Sequence, residues 1–161
     1  MIMVCALNNR ARILNQAGSF KNQGEPTEAA LKVLAEKLGK FTKREVDHQQ
    51  NPNAHSDAFD KEFKNIATLD FSSERKTMST VIRGANGSNV VLLKGAPERI
   101  LEKCNGVVNS NDQVVAFKSD NEKKELLNKI KQEASQGFRV LGIAIAKDGG
   151  KMKHINEKNI E

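Results

Sequence analysis

The chain has 161 residues, of which 38% are hydrophobic and 29% charged, and its formal net charge is +6. That length and balance suit one globular domain with its own core and exclude a disordered chain. No apolar run is long enough to cross a bilayer, the N-terminus lacks the basic start of a signal peptide, and the positive excess favours an anionic partner such as a nucleotide, a nucleic acid or an acidic surface.

In chain order, Met1 to Leu14 places Ile2, Cys5, Ala6 and Ile13 as a short helix, and the polar stretch Asn15 to Gln23 reads as a loop. Gly24 to Gly39 is the clearest helix. Pro26 opens it, Leu31, Leu34, Ala35 and Leu38 form one apolar stripe, and Gly39 stops it. Lys40 to Asp60 has no repeating apolar face and reads as an exposed insertion.

Strands follow. Phe63 to Phe71 sets Ala67, Leu69 and Phe71 on one face, Lys76 to Arg83 alternates, and Gly84-Ala85-Asn86-Gly87 carries the Asn-Gly signal of a hairpin. Val90 to Leu93 should pair back, antiparallel. It runs into Lys94, Gly95 and a helix begun by Ala96-Pro97-Glu98, and a strand end, a lysine, a glycine and a helix N-terminus make an anion site plausible. A hairpin is expected from Val107-Val108 to Val114–Phe117. A helix with capping-box spacing at Ser119 to Glu122 comes next, carrying Leu126, Leu127, Ile130 and Ala134 and ending at Gly137. Phe138 to Ala146 reads as a last strand containing Arg139, and Lys147 to Glu161 as a trailing loop.

Cys5 and Cys104 are far apart and read as two reduced thiols. His48, His55 and His154 show no ligand spacing, so no metal site is expected. Tryptophan and tyrosine are absent, which leaves the seven phenylalanines as the aromatic faces available for stacking.

Four separated stretches together resemble the nucleotide-binding domain of type II P-type cation pumps. Gly24-Glu25-Pro26-Thr27-Glu28-Ala29-Ala30-Leu31 looks like that domain's GE-x-TE-x-AL helix start. Phe71-Ser72-Ser73-Glu74-Arg75-Lys76-Thr77-Met78-Ser79 resembles its strand entry, Lys94-Gly95-Ala96-Pro97-Glu98 matches its KGAPE signature, and Gly137-Phe138-Arg139-Val140-Leu141-Gly142 is similar to its last strand. The likeness covers nearly the whole chain and is nearest to calcium pumps of the sarco/endoplasmic-reticulum type.

The resemblance implies a single domain over residues 1–161 of α+β class, a mostly antiparallel twisted sheet flanked by helices, with ATP bound at one end of the strands. It implies that Phe71 stacks on adenine, Glu28 contacts the adenine edge, and Lys94 and Gly95 line the pocket, with the lysine charge available to the nucleotide. Lys76 would neutralise phosphate or organise the wall, and Arg139 would reach the ribose–phosphate part. Thr27, Ser73, Arg75, Ala96 and Leu141 belong to the same stretches and complete the candidate set. Ser73 stands where calcium pumps commonly have an arginine, and Arg75 is the residue placed to compensate. Read from residue type alone, Phe71 is a core residue, Glu28 a helix-dipole partner, Lys76 a solvated lysine and Arg139 the partner of one of the chain's own carboxylates.

The chain contains no Asp-Lys-Thr-Gly phosphorylation motif. The resemblance therefore implies that the acceptor aspartate lies on a neighbouring domain, and that this domain binds ATP or ADP, with Mg²⁺ carried on the nucleotide, but turns nothing over. Its partners would be the phosphorylation and actuator domains of the same pump at the cytosolic face of a membrane, with neither nucleic acid nor direct membrane contact. The competing expectation, from charge alone, is a basic module for nucleic acid or an acidic protein surface.

Overall fold

The computed structural model describes residues 1–39, 46–84 and 87–147. In chain order its elements are α1 (Ile2–Leu7), β1 (Arg12–Gln16), β2 (Ser19–Gln23), α2 (Pro26–Leu38), α3 (Ala54–Glu62), β3 (Lys64–Leu69), β4 (Thr77–Arg83), β5 (Asn89–Gly95), α4 (Pro97–Lys103), β6 (Gly106–Val108), β7 (Val114–Ala116), α5 (Asp120–Ser135) and β8 (Gly142–Lys147). This is the expected α+β class. The main sheet has the order β3-β4-β5-β8 with every pairing antiparallel, and β1-β2 and β6-β7 are separate two-stranded ribbons.

The sheet's two central strands are largely buried, and an apolar cluster forms on each of its faces. On one face, Ile82 and Leu92 pack with Val4, Cys5, Ala6 and Leu7 of α1, Ala35 of α2 and Phe59 of α3. On the other, Val81 and Val91 meet Ile66, Ala67 and Leu69. A bulge between Asn65 and Ala67 lets consecutive residues Ile66 and Ala67 serve that cluster together. A buried polar residue locks α1 to the sheet. Asn8 donates to the carbonyls of Met78 (2.9 Å) and Leu92 (3.2 Å) and accepts from the Thr80 hydroxyl (3.0 Å).

Several expectations change. The N-terminal helix ends at Leu7, and Ile13 belongs to β1, buried with Ala11 and Ala29. Asn15 to Gln23 is mostly strand. Ala17 and Gly18 both take positive φ (52° and 84°), which closes a two-residue hairpin turn without Asn-Gly, and every residue of β2 is exposed, so no alternation announces it. Within Lys40 to Asp60, residues 40–45 lie outside the described ones, but α3 is a packed helix and not an exposed insertion, with His55, Ser56 and Phe59 buried. Its burial is largely polar, which apolar periodicity does not register.

Leu31, Leu34 and Ala35 do face the core, whereas Leu38 is exposed. Ser119 makes no side-chain cap bond. Glu122 instead accepts the Lys118 N–H (2.9 Å), and α5 has no fully buried residue, its Ala134 being exposed. The last strand starts at Gly142, so Arg139 precedes it. Ala85 and Asn86 of the expected turn and the trailing residues 148–161 lie outside the described residues.

Candidate functional site

The register of the main sheet brings the four stretches together. Thr77 pairs with Gly95 and Gly95 with Gly142, so the start of β4, the end of β5 and the start of β8 lie side by side at one sheet end. That close approach is why Gly95 carries no side chain. A Cβ there would lie 2.8 Å from the Thr77 Cα and would press on the Lys76 carbonyl, both backbone groups that cannot yield cheaply. Gly142 is equally confined, its would-be Cβ falling 2.7 Å from Ile100 of α4.

A cleft of about 1070 Å³ opens at this end. Of the expected residues, Thr27, Glu28, Phe71, Ser73, Lys76, Lys94, Gly95, Ala96, Arg139 and Leu141 all line it, and Arg75 does not. The sequence reading missed Arg10, Leu31, Asp70, Met78 and Val140 on its walls. Arg10 carries no motif and lies in the loop between α1 and β1.

Phe71 lies just past the end of β3 and is 60% exposed, so it is not a core residue. Its backbone is nevertheless held from both sides. The Arg10 guanidinium binds both carboxylate oxygens of Asp70 (2.9 and 3.3 Å), and the Arg75 guanidinium donates to the Asp70 carbonyl. The turn that follows closes through Lys76 N–H to the Ser72 carbonyl (2.7 Å) and Arg75 N–H to the Ser72 hydroxyl (3.2 Å). Lys76 completes it at a positive φ of 56°. Arg75 is thus committed to shaping the turn and does not replace the absent arginine in the cleft.

The deep wall is an ion pair. Lys94 Nζ donates to Glu28 Oε1 at 2.6 Å and to the Asn8 carbonyl, with the two side chains 9% and 16% accessible. The other Glu28 oxygen accepts the Arg10 N–H at 3.1 Å. Burial pushes the Lys94 pKa down, and the hydrogen bond and charge of Glu28 oppose that shift. Lys94 thus lines the cleft as the partner of Glu28 and not as a lone cation. Glu28 in turn is more than a dipole partner for α2.

The mouth is wetter. Lys76 Nζ lies 4.0 Å from Glu98, both half-exposed, and the exposed Arg139 donates to the Thr27 hydroxyl at 2.6 Å. Its partner is a neutral hydroxyl and not a carboxylate. Leu31, Met78, Pro97 and Leu141 supply apolar surface between the two ends. A cleft with an exposed aromatic, apolar walls, a compensated deep end and cations at the rim can hold a planar base with an anionic tail.

Comparison with known proteins gives concordant results. The family model described as P-type ATPase, cytoplasmic domain N, matches residues 1–161. The chain is 34% identical over 152 residues to calcium-transporting ATPase 2, endoplasmic reticulum-type, of Arabidopsis thaliana, covering 88% of this chain and 14% of that protein. It is 31% identical over 156 residues to the endoplasmic reticulum calcium ATPase srcA of Aspergillus fumigatus, covering 92% and 16% respectively. With plasma membrane calcium-transporting ATPase 4 of Homo sapiens it shares 34% over 129 residues, 80% of this chain and 10% of the relative. The chain thus spans less than a fifth of the length of each. Among the described residues no helix is long and apolar enough to cross a membrane.

Proposed function

The chain belongs to the P-type ATPase cytoplasmic domain N family, and from that premise we propose that its cleft binds ATP and presents it for phosphorylation of an aspartate in a separate domain of a calcium-transporting pump. Phe71 stacks on the adenine ring. Glu28 and Lys94 form the polar wall against the base edge, Gly95 and Ala96 let the ring approach the backbone, and Lys76 and Arg139 face the phosphates, with Thr27, Ser73 and Leu141 completing the walls. Magnesium, which keeps much of its own water and favours phosphate oxygens, arrives on the nucleotide. The domain's share of the chemistry is positioning, since phosphoryl transfer depends on alignment and charge stabilisation, here completed by the phosphorylation and actuator domains. The endoplasmic-reticulum-type relatives support a pump of that membrane, with this domain on its cytosolic side.

One observation carries the reading. Four stretches distant in sequence meet at a single sheet end, around a phenylalanine that is exposed yet anchored through its neighbour Asp70. The test is an amide-shift titration of the isotope-labelled domain with ATP. Residues around Phe71, Glu28 and Lys94 should shift saturably, with no phosphate released. Amides that stay still at millimolar ATP would refute the proposal. Oligonucleotide binding that weakens steeply with salt, in place of nucleotide binding, would favour the basic module.

A further inference from the structure

Away from the cleft, three donor side chains from three segments converge. Glu36 lies in the last turns of α2, His48 in the turn after the connection from α2, and His55 in the first turn of α3. One ligand atom from each lies within 4.8 Å of the others. The Glu36 carboxylate is buried and held rigidly. Its Oε2 accepts the His55 N–H (2.9 Å), and its Oε1 accepts the Ser56 N–H (2.8 Å) and the Ser56 hydroxyl (2.7 Å). The His55 ring is fixed against Gly39, where an added Cβ would fall 2.5 Å from it.

Capping α3 occupies the carboxylate, and two imidazoles gather beside it. His48 Nδ1 stands 3.8 Å from Glu36 Oε2, within ion-pair reach, and the two rings are tilted by 56° with centroids 5.7 Å apart, in the range of an edge-to-face contact. The three donors come from three segments and lie close enough for one ion to bridge them. We infer that Glu36, His48 and His55 form a binding site for one divalent transition-metal ion of the zinc class.

Two nitrogens and one carboxylate oxygen are the donor set that zinc, cobalt and nickel accept, whereas magnesium and calcium take oxygen. Donors bound at about 2.0–2.2 Å converge more closely than they do here. A rotation of the half-exposed His48 ring closes the remainder, while Glu36 and His55 are preset. The hydrogen bonds from Ser56 and the α3 backbone hold the carboxylate as second partners commonly hold metal ligands. Three protein ligands leave a fourth position to water. The ion would staple the end of α2 to the start of α3.

The test uses the tag-free chain and titrates Zn²⁺ by calorimetry and Co²⁺ by visible absorption, with thermal unfolding alongside. One equivalent should bind, raise the unfolding midpoint and resist displacement by excess Mg²⁺. His48→Gln, at a half-exposed position that does not threaten folding, should weaken binding by at least about 10-fold, and His154→Gln should leave it unchanged. No binding at tens of micromolar metal, equal binding by the His48→Gln protein, or displacement by Mg²⁺ would each overturn the inference.

Discussion

Replacing Phe71 by alanine tests the adenine contact with the least collateral change. The ring is 60% exposed and belongs to none of the buried clusters, so its removal takes away little packing. The Arg10–Asp70 and Arg75–Asp70 bonds that hold the turn involve its neighbours and survive the change. Stability should therefore move by no more than about 0.5 kcal/mol, the range of surface substitutions. Binding should move much further. Stacking of one base on an aromatic side chain contributes roughly 1–3 kcal/mol, which corresponds to a rise in Kd of roughly 5- to 150-fold.

The assay is calorimetry or amide-shift titration of ATP, AMP and adenosine at fixed salt, with urea unfolding of the same proteins. Because the proposed contact is to the base, all three ligands should weaken by similar free energies. Phe71→Leu should fall between parent and alanine, since it keeps apolar bulk but loses the aromatic face. Unchanged affinity in a folded Phe71→Ala protein, or a loss confined to ATP, would refute the stacking argument.

Arg139→Gln should leave adenosine binding intact and weaken ATP by up to about fivefold, the scale of an exposed ionic contact; equal weakening of adenosine would show that the residue does not face the phosphates. Glu28→Ala strands the nearly buried Lys94 cation and Lys94→Met strands the Glu28 carboxylate, so each should cost about 3–5 kcal/mol in urea unfolding; near-parent stability in either single variant would contradict that account. Lys32, buried on α2 and donating to the Ala6 carbonyl (2.8 Å), has its pKa lowered first by burial, with Asp60 opposing. Between that lowered value and the ordinary lysine value of about 10.4 the unfolded chain binds more protons, so Lys32 makes stability rise with pH through this window. Lys32→Met should remove that part of the rise in alkaline unfolding curves, leaving the contribution of Lys94, whose shift has the same sign; an unchanged slope would dispose of the assignment.

The strands that build the cleft were legible because they are short, apolar and alternating, and because glycine and proline mark their ends. The β4–β5 pairing and the α4 start fall where Val90 to Pro97 indicated. What stayed hidden is polar and tertiary. Phe59 is the one large apolar residue buried in α3, and the backbone N–H groups of the buried His55 and Ser56 are satisfied by Glu36, a residue of another helix. Asn8 drew no notice in the sequence, yet it is fully buried and joins α1 to two strands. Arg139 looked internal to a strand only because Phe138 and Val140 beside it are apolar. Phe138 is in fact 61% exposed. Hydrophobic period reports which residues leave water, and it is silent on which polar groups leave water together.

That silence matters most for charge. From residue type alone, Arg75, Lys76, Lys94 and Arg139 are interchangeable cations, and nothing marks Arg10. In three dimensions Lys94 is matched to Glu28, Arg10 to Asp70, and Arg75 to a backbone carbonyl, whereas Lys76 and Arg139 sit at the exposed rim with looser or neutral partners. The cleft is therefore graded from a compensated, nearly dry interior to a wet cationic mouth. A charged phosphate taken to the deep end would have to compete with the Glu28 carboxylate for Lys94 and lose its own hydration. A neutral purine loses neither, and it gains apolar walls and an aromatic face. On the proposed function, this gradient would admit an adenine nucleotide base-inward, with its phosphates at the opening.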